Sequence, residues 1–224
     1  RSSCRCIQYD PMAKRSRSPS CNTADPFAIE EVAPTPSIGS LCGHHVLVPL
    51  DPGSELDCIR RQRCFGSEVE SPLSKWIFSL EEALFLQSEL SILSICDASG
   101  MVLSVQDFFG QCCAVVPRFS WRFAAYRHYR LAGWVVRPDS LKFGADFLLY
   151  DGAPSEVHAR YAVLLGDQQL LWKEAIMASR LAQLVAKELL VVFQPEEGET
   201  TLESTCSRRI LALTVRPWQH HLGS

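Results

Sequence analysis

Apolar residues in the middle of the chain recur at helical spacing, and those of the last ninety positions recur in short runs of the kind strands use. Leu80, Ala83, Leu84, Leu90 and Leu93 make one stripe, and Ser79 followed by Glu82 is a capping box that starts it. Asp97–Gly100 has turn composition, and Ser104 with Asp107 starts a second short helix through Phe108 and Phe109. A third helix is predicted over Phe119–Ala132, stopped by Gly133 as a C-cap. Its aromatic residues Trp121, Phe123, Tyr126 and Tyr129 are expected in a core rather than as a platform for stacked bases. From Trp134 the period shortens. Trp134–Val136 and Phe147–Tyr150 read as strands with a Pro138–Ser140 turn after the first, and His158–Leu165 reads as a third strand. A helix over Leu170–Ala186, a strand over Leu189–Phe193, an acidic loop at Glu196–Glu199 and a last strand over Ile210–Val215 complete the pattern. Helices set between strands in so short a span predict an α/β fold. A small helical or mixed N-terminal domain (71–117) precedes a compact α/β domain on a mixed sheet (118–224).

Residues 1–70 break this regularity. Stretches such as KRSRSPS and APTPSIGS are rich in Ser, Pro and Arg, and the segment is expected to be mostly disordered because it buries too little apolar surface to offset chain entropy. The 224 residues, 47% of them hydrophobic, suffice for one or two domains. A net charge of −3 argues against a uniformly basic nucleic-acid binder. Yet Arg118, Arg122, Arg127, Arg130, Arg137 and Lys142 face a single acid, Asp139, over 118–142. Such a patch attracts phosphate, although a solvated helix face is its plainer explanation.

No apolar run is long enough for a bilayer, and the start lacks the charged-then-apolar order of a signal peptide, so no membrane association is expected. Arg1 at the first position suggests a fragment or a processed chain. Ten cysteines without paired C-x-x-C spacing point to a reduced, intracellular protein with neither zinc site nor disulfide framework. Cys96, Cys112 and Cys113 sit in apolar runs, where a thiol packs as a small hydrophobe. The pairs His44–His45 and His220–His221 are better read as surface histidines than as ligands, and Lys14–Arg17 has the composition of a nuclear-import signal.

The segment YRHYRLAGWVVRPDSLKFGADFLLYDGAPSEVHARYAVLL, residues 126–165, resembles the tRNA-intron endonuclease family. In that family the catalytic domain carries a helix ending in an aromatic–arginine pair and Gly-Trp. A Lys-Phe-Gly-x-Asp-Phe strand with a terminal Tyr follows, then a loop to a His. Those are Lys142–Phe147, Tyr150 and His158, and the family's third residue, a Lys at a strand start, falls on Lys187. The resemblance covers about half the chain and makes the C-terminal domain nuclease-like. It is closest to the eukaryotic catalytic branch that cuts the 5′ splice site, through Tyr-x-x-Tyr-Arg, Gly-Trp-Val-Val and Lys-Glu-Leu. The chain departs in having only Gly166–Gln169 between the third strand and the helix, and in lacking a long helical insertion.

The resemblance implies Tyr150 as general base, His158 as general acid and Lys187 as the cation beside the phosphorane, with no metal and no cofactor. Metal-free RNA cleavage, in which the 2′-OH attacks the adjacent phosphorus, needs those three functions. A phenol with an ordinary pKa of about 10 is an awkward base. A neighbouring ammonium lowers it, which gives Lys187 a second use. The resemblance further implies that Arg180 and Trp218 clamp a flipped base of a precursor tRNA. It also implies a nuclear heterotetramer with a second catalytic subunit and two structural subunits. Each residue has a bland alternative: a strand-capping Tyr, an edge His, a gatekeeper Lys, a helix-surface Arg, a tail Trp. Competing functions are a non-catalytic subunit of the same assembly and a metal-dependent nuclease, for which Asp146 and Glu156 are the local carboxylates. A zinc-binding interaction module comes third.

Overall fold

The computed structural model describes residues 36–49, 51–69, 75–138, 144–166, 172–184, 186–193 and 200–215. Of these, one unit takes the residues through Phe123 together with Thr200–Cys206, and a second takes the remainder. The first unit contains β1 (Ser37–Cys42), β2 (His45–Pro49), α1 (Glu55–Arg63), β3 (Ser67–Val69), β4 (Lys75–Ser79) and α2 (Leu80–Ser88). It continues with β5 (Leu93–Cys96), β6 (Val102–Leu103) and α3 (Val105–Val115). The division falls inside α4 (Phe119–Leu131), after Phe123, rather than at 117.

The capping box forms as its spacing requires. The Glu82 N–H donates to the Ser79 hydroxyl at 3.2 Å, and the Ser79 N–H donates to the Glu82 carboxylate at 3.0 Å. The other oxygen of that buried carboxylate accepts the Gly66 N–H at 3.0 Å, so one acid closes a helix and anchors a loop far away in sequence. The helix is shorter than the stripe suggested: α2 ends at Ser88 and Leu93 opens a strand. Ser91 takes a left-handed φ of 56°, and β5 pairs in parallel with β1. Strand pairing satisfies the backbone that helix continuation would have used.

β1 lies in the region expected to have no regular structure, and that expectation is corrected for residues 36–69. They supply β1, β2, α1 and β3, within a six-stranded sheet of order β3-β4-β2-β1-β5-β6. The apolar positions are few, and four of them form the core here: Val46, Val48, Leu56 and Phe65 are buried, while Ile38 is exposed. The N-terminal unit is therefore built on a sheet, with α2 buried from Leu80 to Gln87. Residues 1–35 lie outside the described residues. The Asp97–Gly100 turn joins β5 to β6, and Ser104 caps α3 as expected. Cys112 is buried there as a small hydrophobe, with Cys96 and Cys113 half-buried.

The second unit is a five-stranded mixed sheet of order β11-β10-β9-β8-β7. Its strands are β7 (Val135–Arg137), β8 (Phe147–Tyr150), β9 (Tyr161–Gly166), β10 (Glu188–Phe193) and β11 (Leu211–Val215), and α5 (Trp172–Leu184) links β9 to β10. β9 begins three residues later than the expected His158, because 158–160 approach the sheet without entering it. α6 (Leu202–Cys206), which belongs to the first unit, was not expected at all. The acidic loop at 196–199, Asp139 and Ser140 lie outside the described residues.

Alternation along the strands divides the core. Leu148, Ala162, Leu189 and Val191 pack with Ala178 and Ala182 of α5. On the other parity, Phe147 meets Tyr126 edge-on at 6.1 Å, and Trp134 meets Tyr161 at 5.5 Å. The expectation that the α4 aromatics are core holds: Trp121, Phe123, Tyr126 and Tyr129 are all buried. Arg130 is buried as well. It donates from Nε to the Tyr126 hydroxyl at 2.8 Å and from Nη2 to the Val136 carbonyl at 3.2 Å, tying the helix to β7. Among the described residues no helix is long and apolar enough to cross a membrane.

Replacing Glu82 by Ala leaves two backbone donors without their carboxylate. A loss of about 2–4 kcal/mol in unfolding free energy is expected from urea titration; a loss under about 0.5 kcal/mol would mean water replaces the carboxylate at no cost.

Candidate active site

The ends of three neighbouring strands meet at one place. Tyr150 closes β8, the Arg160 N–H donates to the Leu149 carbonyl at 2.8 Å, and the Glu188 N–H donates to the Arg160 carbonyl at 3.1 Å. Leu149 pairs with Tyr161, and Tyr161 with Glu188. Tyr150, Arg160 and Lys187 therefore stand side by side, and the first and last are separated by two strand spacings, about 10 Å at the backbone. His158 lies two residues before Arg160. The structure thus brings Tyr150, His158 and Lys187 to the same end of one sheet.

Local sequence explains how each is held. After Tyr150 the chain turns at Ala153, whose carbonyl accepts N–H groups from Glu156 at 2.9 Å and Val157 at 3.0 Å. Ala159 is then buried in the α5-side cluster. His158 sits between the turn and this anchor with its side chain exposed. Lys187 follows a helix stop of the Schellman type: the Ala186 N–H donates to Gln183 O at 3.0 Å and the Lys187 N–H to Ala182 O at 2.8 Å. The left-handed position is Ala186, with φ 54°, where glycine is the usual choice. The strained position directly precedes Lys187.

Tyr150 is half-buried against the cluster formed with α5. Burial pushes its phenol above the ordinary range, and the Arg137 guanidinium opposes that shift. Arg137 is therefore a cation that acts on Tyr150. The strand order gives the reason: β7, which carries Arg137, is paired directly to β8, whereas β9 lies between β8 and Lys187.

Arg180 is exposed on α5, one turn before the helix ends. Trp218, its expected partner in a base clamp, lies outside the described residues, as do Lys142 and Phe143. Asp146 has a structural task. Its carboxylate accepts the Leu165 N–H at 2.8 Å, and its own N–H donates to the Val163 carbonyl at 2.8 Å. That places it at the opposite end of β8 from Tyr150, four extended residues or roughly 13 Å away. Glu156 belongs to the loop at the Tyr150 end. The two carboxylates that a metal-dependent nuclease would need side by side are thus separated by the length of a strand.

The basic patch is not one surface. Arg122 pairs with the buried Glu81 at 2.9 Å and Arg130 is internal, so neither is part of a solvated helix face. Arg160, which the sequence reading passed over, makes a long, exposed contact of 3.7 Å with Asp151. Its only signal was two residues of separation from His158.

This end of the sheet holds a phenol, an imidazole and several cations around an open surface, a set suited to moving protons and steadying negative charge during RNA transesterification. Comparison with known proteins gives the class. Residues 119–202 match the family described as tRNA intron endonuclease, catalytic C-terminal domain. The chain is 34% identical over 169 residues to tRNA-splicing endonuclease subunit Sen2-2 of Arabidopsis thaliana, covering 72% of this chain and 66% of that protein. It is 32% identical over 128 residues to a tRNA-splicing endonuclease of Hyperthermus butylicus, covering 56% of this chain and 68% of the relative. With the mouse subunit Sen2 it shares 34% identity over 146 residues, which is 59% of this chain and 31% of the relative. The chain belongs to the tRNA-splicing endonuclease family, a family of endoribonucleases.

Ala186→Gly should relieve the left-handed strain beside Lys187 and stabilise the fold by up to about 1 kcal/mol. Chemical denaturation reads this directly, and a destabilised variant would show that the alanine methyl contributes packing that outweighs the strain.

Proposed function

We propose that this chain is a catalytic subunit of a tRNA-splicing endonuclease that cuts precursor tRNA at an intron boundary, the 5′ splice site. The observation that carries the reading is the convergence of Tyr150, His158 and Lys187 at one sheet end, within the span that matches the catalytic domain. Tyr150 takes the proton from the 2′-OH at the cut. The 2′ oxygen attacks phosphorus, and Lys187 faces the charge that builds on the non-bridging oxygens. His158 gives a proton to the departing 5′ oxygen. The products are a 2′,3′-cyclic phosphate and a 5′-OH. Arg180 holds an unstacked base against its guanidinium plane, with Trp218 as its partner, for a stacking contribution of roughly 1–3 kcal/mol per base.

The same proposal includes a nuclear heterotetramer with a second catalytic and two structural subunits. β11 supports an interface. Among the described residues it is an edge strand paired only to β10 in a five-stranded sheet, with Leu211 60% exposed and Leu213 and Val215 half-buried. An apolar edge left open invites further pairing, which suits a subunit contact along this strand.

Three measurements test the reading. Reconstituted enzyme acting on an intron-containing tRNA should yield cyclic phosphate and 5′-OH ends, in the presence of chelator. A substrate with 2′-deoxyribose at the cut should bind uncut; cleavage of that substrate would replace this chemistry with hydrolysis by an activated water. Leu211→Glu with Leu213→Glu should remove partner subunits from affinity-purified complexes while leaving the melting curve of the isolated chain near that of wild type. Co-purification at unchanged stoichiometry would make β11 ordinary core and move the interface elsewhere.

A further inference from the structure

Arg137 ends β7, the edge strand next to β8. The register pairs Val135 with Tyr150 and Arg137 with Leu148. Residues two apart on a strand share a face, so Arg137 and Tyr150 are diagonal neighbours on one side of the sheet. Diagonal pairs lie about 7–8 Å apart at the backbone, within reach of a long side chain. β7 is itself fixed: Arg130, buried in the helix ahead of it, donates to the Val136 carbonyl one residue before Arg137. Pro138, one residue after, is buried too. The cation thus stands on a strand held from both sides.

We propose that Arg137 is a positioning residue for Tyr150, supplying from the edge strand the fixed positive charge that lets the phenol give up its proton. The role rests on the reading of Tyr150 as the base. Among the described residues, the other charged or titratable groups at this end of the sheet are His158 and Arg160 on the approach to β9, Asp151 and Glu156 on the loop, and Lys187 and Glu188 at the start of β10. From α5, the described residues that reach the Tyr150 cluster are the uncharged Ala178 and Ala182. Arg160 has Asp151 as a neighbour of opposite sign at 3.7 Å, and Lys187 stands beyond an intervening strand. Arg137 is the cation on the directly paired strand, and its charge opposes the upward push that burial gives the phenol.

A base that must lose its proton and an acid that must keep one bound the rate on both sides of the pH range. Burial puts the tyrosine limit on the alkaline side. Between the two limits, the fraction of enzyme in the working protonation state falls tenfold for each unit by which the phenol titration rises.

The test reads the phenol directly and then the reaction. Tyr150→3-fluorotyrosine is introduced into the full chain, and its 19F shift is followed against pH without RNA, in the otherwise wild-type protein and with Arg137→Gln or Arg137→Lys. Arg137→Gln should move the titration to higher pH, by up to about one unit, and Arg137→Lys should restore most of the shift. In the reconstituted endonuclease with Tyr150 intact, Arg137→Gln should slow single-turnover cleavage by roughly three- to tenfold between the limits and displace the alkaline limb upward. Arg137→Lys should recover the rate. Circular dichroism melts confirm that each variant folds. A 19F titration that does not move in Arg137→Gln overturns the proposal, even if cleavage slows, because the residue would then act through packing or on the substrate. Tyr150→Phe retaining full cleavage sinks the catalytic reading instead, and is distinguishable because the titration is recorded on the chain without RNA.

Discussion

Two parallel strands cannot be joined by a tight turn, so the chain that leaves β9 must cross over and return to the end at which β9 began. Here α5 makes that crossing, and its packing through Ala178 and Ala182 on Ala162, Leu189 and Val191 sets where β10 starts. β8 runs the other way and finishes where β9 starts. The residue that ends β8, the residues that lead into β9 and the residue that leads into β10 are therefore forced together. Small side chains at 162, 178 and 182 let the helix lie close to the sheet. A bulkier residue at any of them would push α5 outward and move Lys187 relative to Tyr150.

Electrostatics at this end of the sheet oppose the hydrophobic packing that builds it. The cluster that holds Tyr150 in place also desolvates its phenol, which disfavours the anion. A position on the rim, half-buried rather than enclosed, limits that penalty, and a cation on the paired strand offsets part of it. Lys187 is placed by a helix stop that uses Ala where Gly is easier. Packing, charge and local strain are all concentrated in the same few residues, while Asp146 secures the far end of β8 and Arg130 holds β7 where it pairs with the residue before Tyr150.

The N-terminal unit follows a different rule. Its sheet is assembled from strands of two to six residues, too short to hold together by local preference. Glu82, buried with backbone donors on two sides, ties the start of α2 to the loop before β3. Short strands with sparse apolar positions gain stability only through such long-range ties.

Residues within a few positions of one another wrote much of this structure unaided. Ser79 with Glu82, Ser104 with Asp107, Gly133 after α4 and the runs Phe147–Tyr150 and Leu189–Phe193 all act over spans where side chain and backbone meet without help from the rest of the fold. Candidate chemistry at Tyr150, His158 and Lys187 was legible for another reason: residue type and order survive in a motif whatever the distances between its members. What the sequence left open was pairing. Val46 and Val48 alternate too briefly to mark β2, and Leu93 fits a helical stripe until β1 arrives to pair with it. Arg137 is one of six basic residues scattered over 118–142 until β7 is set beside β8. Strand neighbours are separated by loops whose closure entropy changes little with length, so the chain carries almost no local record of which strand will lie next to which. Only the assembled sheet decides that, and with it the placing of Arg137 diagonally from Tyr150.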